Sequence, residues 1–274
     1  MRVLSLPAGN PGPYTGAAGN TTYLIDGAAP VLVDAGIGRG DHLDAVAREL
    51  AGRSLARVVV THGHSDHASG VEAIVARWPT AILLKRPWPE VDSQYRVDWT
   101  RLDDGSEVHT GAVVLRVVAT PGHAPDHICL FEPESRTLFG GDLLAAHTTV
   151  VIPHTQHGSV RDYLASLRRV RGLAPARVLP AHGPAIEHPV ALIDRYLDHR
   201  LQRERQILEV LQGGPATPAR IVELVYESLR PELVGAAQES VLAHLFKLQE
   251  EGKVVRRLEN WELRTEKWEV GSEK

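Results

Sequence analysis

The chain has 274 residues, a hydrophobic fraction of 43%, a charged fraction of 23% and a formal net charge of −4. That length suits one large domain, or a medium domain with a small one, and the composition is that of a globular protein with a real core. A net negative charge and a sequence pI near 6.4 give no global positive field for nucleic acid or an anionic membrane. No run approaches the ~18 apolar residues of a membrane span, and Leu4-Ser5-Leu6-Pro7 breaks off before a signal-peptide core forms. The single cysteine, Cys129, excludes an internal disulfide and fits a reducing compartment, so a cytoplasmic location is expected.

In chain order, residues 1–20 are rich in Gly and Pro and read as loop. Val31-Leu32-Val33, Val58-Val59-Val60, Ala81 to Leu84, Val113 to Val118 and Arg177-Val178-Leu179 are β-branched runs that predict buried or half-buried strands. Helical patterns fall near 41–51, 69–78 and 159–172, and Glu107 to Thr120 predicts a hairpin partner. Strands outnumber helices, which favours a mixed, layered α/β fold over a strictly alternating parallel one. From Pro189 to Gln212 a helix is expected, with Ile193, Leu197, Leu201, Leu208 and Leu211 on its apolar stripe. Gly213-Gly214-Pro215 interrupts it. Two further helices and a short β-ribbon turning near Glu259-Asn260 then predict a winged-helix-like module. The expected division is 1–190 for a catalytic domain, 191–212 for a connecting helix and 213–274 for the module.

The chemistry concentrates where strands end. Val58-Val59-Val60 runs into Thr61-His62-Gly63-His64-Ser65-Asp66-His67, four potential ligands within six residues. His62 and His64 alternate and face one way if extended, while Asp66 and His67 reach a neighbouring point as the chain turns into a helix. Three more stations repeat the pattern of apolar run, turn residue and ligand: Gly122-His123, Gly140-Gly141-Asp142 and Ala181-His182-Gly183. Imidazoles and carboxylates without thiolates suit zinc, iron or manganese and weaken the case for a purely structural zinc.

His-x-His-x-Asp-His, a lone His, an Asp after Gly-Gly and a Gly-flanked final His resemble the metallo-β-lactamase superfamily over residues 1 to about 190. The resemblance implies a four-layer αββα sandwich with a small C-terminal winged-helix-like domain, and a dinuclear site along one edge. It implies that His62, His64 and His123 hold one divalent ion, that Asp66, His67 and His182 hold the other, and that Asp142 bridges. Zn(2+) is the leading metal, with Mn or Fe as alternatives, and Asp66 carries the catalytic role. Asp34 matches a carboxylate that orders the metal loops. A metal-bridged hydroxide would then be the nucleophile, because two ions lower the pKa of a shared water from 15.7 to about 7. Asp142 stands where the best-known zinc β-lactamases have Cys, which argues against antibiotic hydrolysis.

Asn10-Pro11-Gly12-Pro13-Tyr14-Thr15, Tyr196 to Arg200 with Arg203-Glu204-Arg205-Gln206, and the tail from Thr217 resemble one branch, a β-lactamase-like endoribonuclease. That resemblance implies single-stranded RNA as substrate. Small-molecule thioester or ester hydrolysis of glyoxalase type is the alternative, with a mononuclear iron oxygenase and a metal-stabilised interaction protein behind it. The chain departs from the branch at Gly63 and Ser65, where a bulky and a basic residue are usual. Its Asn20 is displaced by one position, which in a strand reverses the facing side and removes the basis for a polar role. His147, His154 and His157 belong either to a solvated loop or to the mouth of the site. The module from Gly213 has nine Lys/Arg against eleven Asp/Glu, so sequence-specific DNA binding is not expected. Arg256 and Arg257 read as a solvated face, Trp261 and Trp268 as packing residues. If RNA is the substrate, only the arginines of 161–177 and 195–205 are available to follow its backbone.

Overall fold

The computed structural model describes residues 1–12 and 15–264; Pro13, Tyr14, Trp268 and the rest of 265–274 lie outside the described residues. Two sheets stack face to face. The first runs, in spatial order, β1 (Val3–Pro7), β2 (Thr21–Ile25), β3 (Val31–Val33), β4 (Arg57–Val60), β5 (Ile82–Lys85) and β6 (Trp99–Arg101). β1, β2 and β3 pair antiparallel, and β3 to β6 pair parallel. The second has β7 (Glu107–His109), β8 (Val114–Ala119), β9 (Ile128–Glu132), β10 (Thr137–Gly141) and β11 (Arg177–Pro180), antiparallel except for the β10/β11 pair.

Alternation along the strands explains the layering. In β3, Val31 and Val33 face the second sheet and join Ile128, Leu130, Phe139 and Leu179 in the inter-sheet core. Leu32 between them faces the other way, onto α1 (Gly40–Leu50) and α3 (Val71–Arg77) through Leu43, Val46 and Ile74. A strand covered on both faces must be apolar throughout, which is why these segments read as continuous β-branched runs. The outer face of the second sheet packs on α5 (Val160–Leu173) and α6 (Pro189–Gln212) through Leu138, Val178, Leu164, Leu167 and Ile193. The result is the αββα order expected. Three short elements complete this part: α2 (Ser65–Ala68), α4 (Pro89–Asp92) and a 3-10 turn at His154–Gln156.

Beyond α6, α7 (Pro218–Val225), α8 (Val234–Glu250) and the ribbon β12 (Val254–Arg257) with β13 (Asn260–Leu263) form a winged helix. Thr217 caps α7, its hydroxyl accepting from the Arg220 amide, and Pro218 occupies the first turn. The module has its own apolar cluster, in which Ile207 and Leu211 of α6 meet Ile221, Val241, Leu245 and Trp261. The α6 helix therefore feeds two cores, one at each end.

Two expectations need correction. Residues 3–7 form a strand, because pairing with β2 satisfies their backbone although the surrounding Gly and Pro suggest loop. The inward face of α6 is Ile193, Tyr196, Arg200, Glu204, Ile207 and Leu211, whereas Leu201 is exposed. An apolar pattern passes over that face because two of its central residues are charged. Phe139 is fully buried between the sheets and meets Tyr23 edge-on at 5.6 Å. Phe139→Ala should lower unfolding free energy by about 3–5 kcal/mol in a denaturant titration.

Candidate metal centre

All seven predicted residues converge at one end of the sandwich. The first sheet delivers His62, His64, Asp66 and His67 through the loop and short helix after β4, and the second delivers His123, Asp142 and His182 after β8, β10 and β11. Asp34, just past β3, adopts a left-handed φ of 65° and is buried. Its carboxylate accepts from the Thr61 amide at 2.8 Å, the Thr61 hydroxyl at 3.1 Å and His67 Nδ1 at 2.9 Å. That bond puts the His67 proton on Nδ1 and turns the Nε2 lone pair inward.

The same logic applies at two other rings. His123 Nδ1 donates to the Val151 carbonyl at 2.7 Å, so its Nε2 is a lone pair. The Thr61 hydroxyl, already donating to Asp34, accepts from His62 Nδ1 at 3.1 Å and leaves His62 Nε2 unprotonated. His64 Nδ1 stands 3.0 Å from His62 Nε2 and 2.9 Å from His123 Nε2. One imidazole proton cannot serve two acceptors, so this cluster fits a cation better than a hydrogen-bond network.

The second cluster holds Asp66, His67 and His182. His67 Nε2 and His182 Nε2 each lie 3.5 Å from Asp66 Oδ2, and 3.4 and 3.3 Å from Asp142 Oδ1. Donor atoms about 2.0–2.1 Å from a shared tetrahedral ion stand about 3.3–3.4 Å apart, so the spacing suits common coordination. Asp142 Oδ2 points instead to His123 Nε2 at 3.4 Å, and its two oxygens thus serve both clusters. Asp142 Oδ1, His64 Nε2 and His182 Nδ1 have no hydrogen-bond partner among the described residues.

Electrostatics agree with this donor set. Burial, reinforced by neighbouring imidazoles, takes His62 well below its ordinary pKa and His64 down to about 3, so both are neutral. Burial opposes charge at Asp66 and Asp142 too, but His67 and His182 hold both carboxylates below the usual range. Burial likewise disfavours charge on His182, yet Asp142 outweighs it and pushes the ring up to about 9. Against burial, the same carboxylates hold His67 well above its ordinary pKa, so without an ion two imidazolium protons balance them, and a divalent cation would replace those two protons.

Several residues escaped sequence reasoning. His127 is fully buried; its Nε2 accepts from the Asp142 amide at 2.9 Å and its Nδ1 bonds Thr120 Oγ1 at 2.8 Å. A second His four positions after His123 was the available signal. Gly141, φ 48°, lets the chain pass: a Cβ there would lie 2.7 Å from His127 Nε2 and 3.0 Å from Thr61 Oγ1. Asn20 corrects the expectation drawn from its displacement. Its Nδ2 donates to Asp66 Oδ2 at 3.0 Å and to the Asp66 carbonyl at 3.1 Å, while Asn10 Nδ2 donates to its Oδ1 at 2.8 Å. Asn20 precedes β2 in an isolated bridge to His182, so strand alternation does not govern its direction.

The departure at Gly63 has a steric counterpart, since a Cβ would lie 2.8 Å from Val91 and 3.2 Å from Trp88. Trp88 meets His64 and His157 edge-on at 6.2 and 5.9 Å, which places His157 beside the site. His154 instead stacks on Phe246 of α8 at 3.8 Å, and His147 is exposed. Cys129 lies in the core behind the second sheet, its thiol pushed up to about 12 by burial.

The arginines expected to meet RNA are largely engaged. Arg161 pairs with Glu250 at 2.8 Å, Arg169 with Asp104 at 2.8 Å and Arg171 with Asp194 at 2.6 Å. Arg177 bonds the Thr137 hydroxyl. Arg200 is buried against the Val150 carbonyl, and Arg203 lies over Tyr226 at 3.8 Å. In the module, Trp261 is buried and Arg257 pairs with Glu262.

Comparison with known proteins bears on this geometry. The family described as "Metallo-beta-lactamase superfamily" matches residues 14–182, and "Beta-lactamase associated winged helix domain" matches 217–268. A "Beta-lactamase-like protein 2 homolog" of Caenorhabditis elegans is 34% identical over 272 residues, covering 96% of this chain and 88% of that protein. An "Atrochrysone carboxyl ACP thioesterase" of Aspergillus fumigatus is 29% identical over 245 residues, covering 83% and 74%. A β-lactamase domain protein from Burkholderia ambifaria superposes with a TM-score of 0.82 at 23% identity, over 96% of this chain and 91% of that one.

Asp34→Ala would leave the Thr61 amide and His67 Nδ1 without their acceptor. Bound metal, measured by elemental analysis after dialysis against graded chelator, should weaken about 10–100-fold while the far-ultraviolet circular dichroism stays native.

Proposed function

The chain belongs to the metallo-β-lactamase superfamily and is a metal-dependent hydrolase, and on that footing we propose that it cleaves a small thioester or ester with two divalent ions. His62, His64 and His123 hold one ion, Asp66, His67 and His182 the other, and Asp142 joins them; the imidazole and carboxylate donors favour zinc. Such ions supply Lewis-acid polarisation of the carbonyl and a water acidic near neutrality. The Asp66 carboxylate, fixed by the Asn20 amide, would help hold the ion and orient that water by accepting a hydrogen bond from it. Asp34 and the Val151 carbonyl keep His67 and His123 in the tautomers that face inward.

The observation that carries the substrate class is the fate of the arginines. Three of those in 161–177 are committed to carboxylates, and the 196–206 stretch that resembles the endoribonuclease branch turns Tyr196, Arg200 and Glu204 into the protein. A polyanion tracking across the surface would find, in these two stretches, Arg168, Arg195 and Arg205 both exposed and without ion pairs among the described residues, in a chain of net charge −4. A small acyl substrate makes no such demand, and the thioesterase named among the relatives acts on that chemistry.

Elemental analysis of the loaded protein should give about two ions per chain, and one ion in fully active protein would favour the mononuclear oxygenase. With S-acyl pantetheines and single-stranded RNA assayed side by side, thioester turnover should dominate and should fall about a hundredfold or more in Asp66→Ala. Metal-dependent RNA cleavage without thioester turnover would overturn the substrate class and leave the metal assignment standing.

A further inference from the structure

The face of α6 that its apolar pattern conceals is crossed by α8, and the charges there do not balance. Glu204 is occupied by Lys247 at 2.6 Å and Lys253 at 3.3 Å, and Glu251 takes the same two lysines. Arg200 and Arg203, one turn apart on the same helix face, have no carboxylate partner among the described residues. Arg200 is 2% exposed, donates to the Val150 carbonyl and has Tyr163 under its guanidinium at 5.3 Å. Arg203 donates to the Val225 carbonyl at 2.9 Å and to Gln206.

Polar atoms are left over in the same seam. The Nε atoms of Arg200 and Arg203, Nδ1 of His199 and both ring nitrogens of His244 are buried and have no hydrogen-bond partner among the described residues. His244 on α8 is completely buried. Lys247, one turn along α8 from His244, bonds Glu204, one turn along α6 from Arg200, so the two helices meet at this level; burial, and then the charges of Arg200, Lys247 and Arg203, hold the His244 ring well below the ordinary imidazole range. Removing an unpaired cation from water costs several kcal/mol, and orphaned buried donors add to that. An anion lodged among two guanidiniums and an unbonded imidazole would offset both costs.

We propose that this seam between α6 and α8 is a binding site for a phosphate-class oxyanion, held by Arg200, Arg203, His199 and His244. Guanidinium N–H groups match the oxygens of such an ion, and the imidazoles add directional donors. With Arg200 and His244 almost wholly enclosed, the site takes a small ion or a terminal phosphate group. It uses none of the seven donor residues of the metal centre and does not depend on the substrate assigned above.

The test is calorimetric titration of inorganic phosphate, with thermal melts, on the metal-loaded full chain at constant ionic strength. The double variant His62→Ala with His182→Ala serves as background, because it takes one donor from each of the two proposed ion sites. Phosphate should bind and raise the Tm in both wild type and that double variant. Arg203→Met and His244→Gln in that background should weaken binding about tenfold or more, with circular dichroism unchanged; Arg203→Lys should recover part of it. Glycerol phosphate separates the sources: binding like phosphate indicates a phosphate ester, and no binding indicates the free ion. Equal phosphate affinity in Arg203→Met and His244→Gln, or the same Tm rise with chloride alone, would overturn the site.

Discussion

Two carboxylates and five imidazoles repel, or waste, one another's lone pairs unless the chain holds them in place, and the Asp34 carboxylate is where that holding is anchored. It sits at the end of β3 with a strained positive φ and reaches across to the loop that follows β4. One oxygen fixes the loop's backbone through the Thr61 amide, and the other fixes the His67 ring. Since β3 and β4 are parallel neighbours in register, their ends fall side by side and the span is short. Parallel pairing of two strands buried on both faces thus gives the loop carrying His62, His64, Asp66 and His67 its position before any metal is considered.

Both clusters need both sheets at once, His123 joining His62 and His64 from the second. Asp66 and His67 come from one and Asp142 and His182 from the other, so the inter-sheet core sets the separation of the donors. Polar ties across the layers make it stiffer. The Tyr23 hydroxyl donates to the Pro180 carbonyl at 2.7 Å, two residues before His182, and the Thr21 amide donates to the Ala181 carbonyl at 2.8 Å. His127 anchors the Asp142 amide from beneath. A ligand displaced by half an ångström loses coordination, so these backbone contacts matter as much as the donors.

What could be read from the sequence follows from how local each signal is. The ligand stations were legible because a buried parallel strand is a dense apolar run and the donor comes directly after it, as at Val60 and His62. The edge strand at residues 3–7 was not, since its only support is pairing with β2, far from its own Gly and Pro. Asn20 and His127 act across 46 and 15 residues, and no spacing rule reports such distances. The α6 face was misread for a different reason. Hydrophobic periodicity counts apolar residues, and this helix buries Arg200 and Glu204 at positions where most helices bury leucine.

That charged face also explains how the winged helix is joined to the catalytic layers. The segment after Asp142 lies between them. Val151 holds His123, Val150 accepts from Arg200, and the Tyr196 hydroxyl donates to the Thr148 carbonyl and accepts from the Ala145 amide. Further along, His154 stacks on Phe246, and Glu239 of α8 accepts from both the amide and the hydroxyl of Thr155. A loop bordered on one side by a metal ligand and on the other by α6 and α8 cannot shift without disturbing both. Apolar packing alone would permit sliding, because dispersion is non-directional. Hydrogen bonds to carbonyls at fixed positions do not, and they hold the segment in a single register. Arg200 and Tyr196 of α6 are therefore a positional device: they set where residues 145–150 run, and the adjoining Val151 carbonyl sets the direction of the His123 lone pair.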